Sequence, residues 1–153
     1  FLGAFVVSNF EGTIERVAAL AALLPVVPRT GGIAGTQTVT LLIRGIALGK
    51  VEWANARWLL FKEIAVGGLN GMIVAFAVGV ITIVLFGRWQ VAAIVAAAML
   101  MNLLAAATVG VVVPLALRRL RIDPALSAGV ILTTFTDCIG FATLLSLGAL
   151  VLT

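Results

Sequence analysis

Three long stretches of this chain are almost free of charge: 64–87, 89–117 and 124–153, the last interrupted only by Asp137. A helix rises 1.5 Å per residue, so about 20 apolar residues cross a hydrocarbon core roughly 30 Å thick. Each stretch is long enough. Ahead of them lies a more broken region, 14–48, punctuated by Pro25, Pro28, Gly31 and Gly32. As one straight helix it would reach roughly 50 Å, so it must kink, tilt or protrude. The opening run FLGAFVVSNF is too short to span and lacks a basic leader, and it is read as the tail of a cut helix rather than a signal peptide. The expectation is an all-α membrane protein, a five-transmembrane-helix bundle with its first helix truncated. Its spans would be 1–10, 14–48, 58–86, 89–117 and 124–151. Pro114 should bend the fourth span or free a carbonyl, and Asp123-Pro124 reads as the cap and first residue of the fifth.

Composition agrees. The 153 residues are 63% hydrophobic and 10% charged, against about 25% charged in an average soluble domain. The net charge of +4 points to topology rather than nucleic acid, because the basic residues sit between apolar spans. Arg44, Lys50, Arg57, Lys62, Arg118, Arg119 and Arg121 collect on one side, whereas Arg16 and Arg88 share the other with Glu11 and Glu15. The positive-inside rule makes the first side cytoplasmic and leaves the C-terminus outside. Trp53, Trp58 and Trp89 fit interfacial belts, and Lys62-Glu63 is placed at the interface that opens the third span. Cys138 is the single cysteine, so no intrachain disulfide forms.

Asp137 is the residue that demands an explanation. A carboxylate at the centre of a spanning helix costs about 2.5 to 3.5 kcal/mol on insertion scales. Protonation, a basic partner or a hydrated cation pathway can offset it. Helical counting puts Gly129 or Val130, Thr133, Gly140 or Phe141, Leu144 and Gly148 on its face, a small and polar stripe that lets a helix or an ion approach. One carboxylate balances a divalent ion poorly; a two-fold homodimer would bring two to one axis. With no histidine and one cysteine, oxygen ligands favour hard cations such as Mg²⁺ or Ca²⁺.

Two segments, PRTGGIAGTQTVTLLIRGIALG and RRLRIDPALSAGVILTTFTDCIGF, resemble the transmembrane domain of the MgtE magnesium transporters. The family patterns are roughly P-x₅-G-G-N-x-G-x-Q and D-P-A-x₃-G-x₃-T-T-x₂-D-x₂-G. The resemblance implies a five-helix protomer in a homodimer, with a pore at the subunit interface lined by the second and fifth spans. It places the pore aspartate at Asp137 and the helix-five threonines at Thr133 and Thr134. The helix-two motif falls on Gly31, Gly32, Gly35 and Gln37, and the helix-starting acid on Asp123. It further implies a prokaryotic inner membrane and N-terminal cytoplasmic gating domains, to which nothing in this sequence corresponds. The sequence departs from the pattern at Ile33 and Ala107, where the family has asparagine, and at Arg29, where small or apolar residues are usual.

The expected function is therefore passage of divalent cations, chiefly Mg²⁺ as cargo, with no enzymatic chemistry and no cofactor. Asp137, Thr133 and Thr134 would hold the ion, Gly31, Gly32, Gly35, Gln37 and Gly129 would line the path, and Asp123 would cap its helix or add a second cation site at the pore mouth. Homodimer mate, membrane lipid and divalent cations are the expected partners; nucleic acid is not. Rival readings are a proton- or sodium-coupled exchanger of the same architecture and a non-conducting scaffold in which Arg29 neutralises Asp137. Intramembrane aspartyl proteolysis lacks its usual G-x-G-D signature, and GGIAGTQ lacks the GK[ST] of a phosphate loop. Asn102, inside the fourth span, is expected to bond another helix.

Overall fold

The structure, a computed structural model, describes residues 2–10, 18–51 and 55–152. Glu11, Glu15, Arg16 and Trp53, and the expected start of the second span at 14, lie outside the described residues. Among the described residues six helices follow one another: α1 (Leu2–Ser8), α2 (Ala18–Leu23), α3 (Val26–Ala47), α4 (Ala56–Phe86), α5 (Trp89–Arg119) and α6 (Pro124–Leu152). Three of them, α4, α5 and α6, are long and apolar enough to cross a membrane. The 22-residue α3 is more polar, since it carries Arg29, Gln37, Arg44 and four threonines.

The broken region 14–48 parts at a single point within the described residues, the turn Leu24–Pro25. Pro28, Gly31 and Gly32 all lie inside α3. A proline in the first turn of a helix removes an N–H that has no intrahelical partner anyway, which is why Pro28 opens α3 rather than breaking it. Helix α5 likewise runs on through Pro114.

The core is organised around α5, which packs against α3, α4 and α6. Half (50%) of its most apolar stretch is buried, against 17% for α4, whose large side chains turn outward. Val91, Val95, Ala98, Asn102 and Ala106 are fully or almost fully buried and recur at the three- and four-residue spacing of one helix face. Phe61, Phe76, Val84 and Leu85 of α4 are exposed, as expected of a helix whose outer solvent is lipid.

Both turns at the basic end use the same device. The N–H of Lys50 reaches the carbonyl of Gly45, and that of Ile122 reaches Leu117, closing the helix ends with left-handed residues at Gly49 (φ 66°) and Arg121 (φ 58°). Glycine suits that conformation; arginine is strained in it. Arg118 then donates to the Val51 carbonyl at 2.7 Å, tying the α3–α4 connection to the end of α5. This contact gathers Lys50, Arg118 and Arg121 at one end of the molecule.

Candidate functional site

Helices α3 and α6 frame an open groove of about 640 Å³, lined on one wall by Pro25, Pro28, Arg29, Gly32, Ile33, Thr36 and Gln37, and on the other by Thr133, Asp137 and Phe141. The 133/137/141 spacing puts three side chains on one face of α6, and the 29/32/33/36 spacing does the same for α3. The walls lie close together at Gly32: a Cβ there would stand 3.6 Å from the Thr136 hydroxyl and 3.9 Å from the Thr133 methyl, ordinary contact distances.

Asp137 is half-buried. Among the described residues no side chain or backbone N–H donates to its carboxylate, and no ion pair joins it to Arg29 in the same protomer although both line the groove. The neighbouring hydroxyls satisfy themselves on their own helix. Thr133 donates to the carbonyls of Gly129 and Val130, and Thr136 to those of Leu132 and Thr133, each at 3.1 Å. The Thr133 hydroxyl keeps its lone pairs and can still accept from a hydrated ion, whereas Thr136 is fully buried.

The other expected site residues divide into groups. Gln37 and Gly32 line the groove with Asp137 and Thr133. Gly31 and Gly35 are buried against the interior instead. A Cβ at Gly31 would collide with the Asn102 amide, and one at Gly35 would come within 2.7 Å of Leu132. They are packing notches of the small-residue kind that lets spanning helices touch. Thr134 and Gly129 lie outside the groove lining: Thr134 donates to the Val130 carbonyl at 2.9 Å, and nothing stands within 4 Å of a Cβ built on Gly129. Asp123 is exposed and accepts from the Ala125 N–H at 2.9 Å, the geometry of a helix cap. It is fourteen residues before Asp137, about 21 Å along the axis.

Sequence reading did not single out Thr36, whereas it did expect Asn102, which braces the groove from behind, to bond another helix. Thr36 recurs seven residues after Arg29 and four after Gly32, so helical counting from Arg29 finds it. The brace is Asn102, which is fully buried and donates to the Val27 carbonyl at 2.8 Å, bonding another helix. A Cβ at Gly140 would lie 3.1 Å from the same amide, so α3, α5 and α6 meet at this one side chain. Its Oδ1 has no donor.

A second acid lies in a separate place. Glu63 is half-buried two turns inside α4 and accepts from the Thr38 hydroxyl of α3 at 3.2 Å, so it faces a neighbouring helix. Helix α4 begins at Ala56, ahead of the expected start of the third span at 58.

These features define a helical integral membrane protein with an acid-bearing groove between two of its helices. A sequence profile described as a divalent cation transporter, MgtE, matches residues 24–147, and the chain belongs to the MgtE family. It is 33% identical to the magnesium transporter MgtE of Thermus thermophilus over 96% of its length, and 27% identical to that of Bacillus subtilis over 86%. The Enterococcus faecalis magnesium transporter MgtE is 26% identical over 90%. The chain spans 32%, 29% and 31% of these relatives respectively. The family is one of membrane transporters rather than enzymes.

Proposed function

We propose that this protein conducts divalent cations, chiefly Mg²⁺, through a pore at the interface of a homodimer, with the Asp137 carboxylates of both protomers forming the central site. The observation that carries this reading is a carboxylate within a spanning helix that has no protein donor among the described residues, set in a groove open along one side. A symmetry mate would close that side and supply the second charge, so that two carboxylates balance one doubly charged ion. Mg²⁺ sheds water reluctantly. Six waters occupy about 180 Å³ at ~30 Å³ each, which a groove of this size accommodates intact. Asp137 then binds through water, helped by Thr133, by the Thr36 hydroxyl and by the Gln37 side-chain carbonyl. Thr134 joins through its own carbonyl or a modest turn of α6, and Gly129 leaves room below it. Gly31 and Gly35 shape the path from behind by letting α3 lie close to α5 and α6.

The named activity of the relatives supports Mg²⁺ as cargo, and the concentration of basic residues at the Lys50/Arg118 end supports a cytoplasmic placement of that end, with the C-terminus outside. Asp123, at the same end, draws cations toward the mouth of the pore.

The test is Mg²⁺ flux into liposomes by the protein and by its Asp137→Asn and Arg29→Gly variants. Flux falling about tenfold or more in Asp137→Asn supports the reading, since the substitution removes charge from a low-dielectric site while keeping its shape. Raised flux in Arg29→Gly places the guanidinium in the path. Equal flux from wild type and Asp137→Asn removes the assignment, flux that strictly requires a proton or sodium gradient favours the exchanger, and no flux in any variant favours the scaffold.

A further inference from the structure

Beside the groove is a smaller and more enclosed chamber of about 250 Å³, formed by α3, α4 and α5 and lined by Gln37, Thr38, Lys62, Glu63 and Asn70 among apolar neighbours. We propose that this chamber is a second binding station for the same divalent cation, with Glu63 as its anionic ligand and the oxygens of Gln37, Thr38 and Asn70 completing the set. The proposal rests on the transport reading above, but its binding test does not require transport.

Three observations converge. The first concerns Thr38. Thr30, Thr36, Thr40, Thr82, Thr108 and Thr143 each donate to the carbonyl four residues back, which is the default for a threonine in a helix. Thr38 instead donates across to the Glu63 carboxylate. It is held there by Gly110, where an added Cβ would come within 3.1 Å of it. The packing thus presents a hydroxyl and a carboxylate from two helices to one space.

The second is charge. Among the described residues no ion pair reaches Glu63. Lys62 lines the chamber, yet its ammonium stands over the Trp58 ring, 5.7 Å from the centroid, a cation–π arrangement that draws it toward the start of α4. One neutral hydroxyl is a weak offset for a carboxylate within a spanning helix. A cation is a strong one, and carboxylate, carboxamide and hydroxyl oxygens are what a hard divalent ion takes, directly or through its water shell.

The third is position. Gln37 lines both the groove and the chamber, so one side chain borders both stations. Thr38, at Glu63, is six residues along α3 from Gly32, at Thr133 and Thr136; that separates the two stations by about 9 Å along the axis. Two weak sites in series let an ion enter favourably and still leave. The chamber, at about 250 Å³, has room for one hydrated Mg²⁺, about 180 Å³ by the same estimate.

The experiment is Mn²⁺ titration followed by electron paramagnetic resonance, on protein reconstituted in nanodiscs, with Mn²⁺ standing in for Mg²⁺. The variants are Asp137→Asn, Glu63→Gln and the double substitution. Glutamine still accepts from Thr38, so Glu63→Gln is expected to fold, and circular dichroism checks that it does. The expected result is a Mn²⁺ site that persists in Asp137→Asn and is weakened about tenfold or more in the double variant, as loss of a charged ligand requires. A titration of Asp137→Asn unaltered by adding Glu63→Gln overturns the proposal, as does Asp137→Asn binding no Mn²⁺ at all. Retained sensitivity of the wild-type titration to Asp137→Asn in either of those outcomes would leave the central site standing.

Discussion

The two acids set within helices of this protein contrast in how they are held. Glu63 has a hydroxyl from a neighbouring helix at 3.2 Å and sits in a smaller, less open pocket, whereas Asp137 has no protein donor among the described residues and faces an open groove. The difference teaches which kind of incompleteness matters. Glu63 is partly solved within one chain. Asp137 has no such partner among the described residues, and its two offsets on the proposed reading are a metal ion and a symmetry mate.

Substitutions can break or sharpen this contrast. The largest expected effect is the Mg²⁺ flux of Asp137→Asn relative to Glu63→Gln: the first falls by about tenfold or more, and the second by less, because a partnered acid at the edge of the path contributes less than a shared one at its centre. Liposome flux at matched protein density measures both. Similar losses in the two variants would erase the distinction.

Next come the paired glycines. Gly31→Ala drives a methyl into the Asn102 amide, and overpacking of this kind costs about 1 to 3 kcal/mol. Gly32→Ala meets only ordinary contacts at 3.6 and 3.9 Å, so it should leave stability nearly unchanged while narrowing the groove. Thermal unfolding in detergent separates the two, with Gly31→Ala expected to melt several degrees lower. Equal melting would mean that the Asn102 junction yields more easily than its packing suggests.

A smaller effect is expected at Thr38→Val. It keeps the packing against Gly110 and removes the donor to Glu63, a loss of about 1 to 3 kcal/mol for a bond to a charged group, reduced by the half-exposure of the carboxylate. The smallest is Arg121→Gly, which relieves a left-handed residue at φ 58° and should stabilise by up to about 1 kcal/mol. It touches neither acid, and so serves as the control in which stability changes and flux does not.

Much of the architecture was legible because the lipid solvent writes long uncharged runs into the sequence. The face shared by Asp137, Thr133 and Phe141 was legible for a similar reason, since helical spacing is a local property. What one helix presents to another was not. Gly31, Gly32 and Gly35 look alike in sequence, yet only Gly32 borders the groove, because the outcome depends on where Asn102 and Leu132 arrive from α5 and α6. Thr134 differs from Thr133 by one residue and therefore by 100° around the helix, which carries it off the lining. The contact between Glu63 and Thr38 was not legible because the two lie 25 residues apart, and nothing in the threonines themselves marks the one that turns outward.

The most direct test of the central claim counts ions. In the Glu63→Gln background, which leaves Asp137 as the remaining intramembrane acid under test, Mn²⁺ bound per chain is measured with and without Asp137→Asn. A shared site predicts one Asp137-dependent ion for every two chains. One such ion per chain, or a count that Asp137→Asn leaves unchanged, would contradict it.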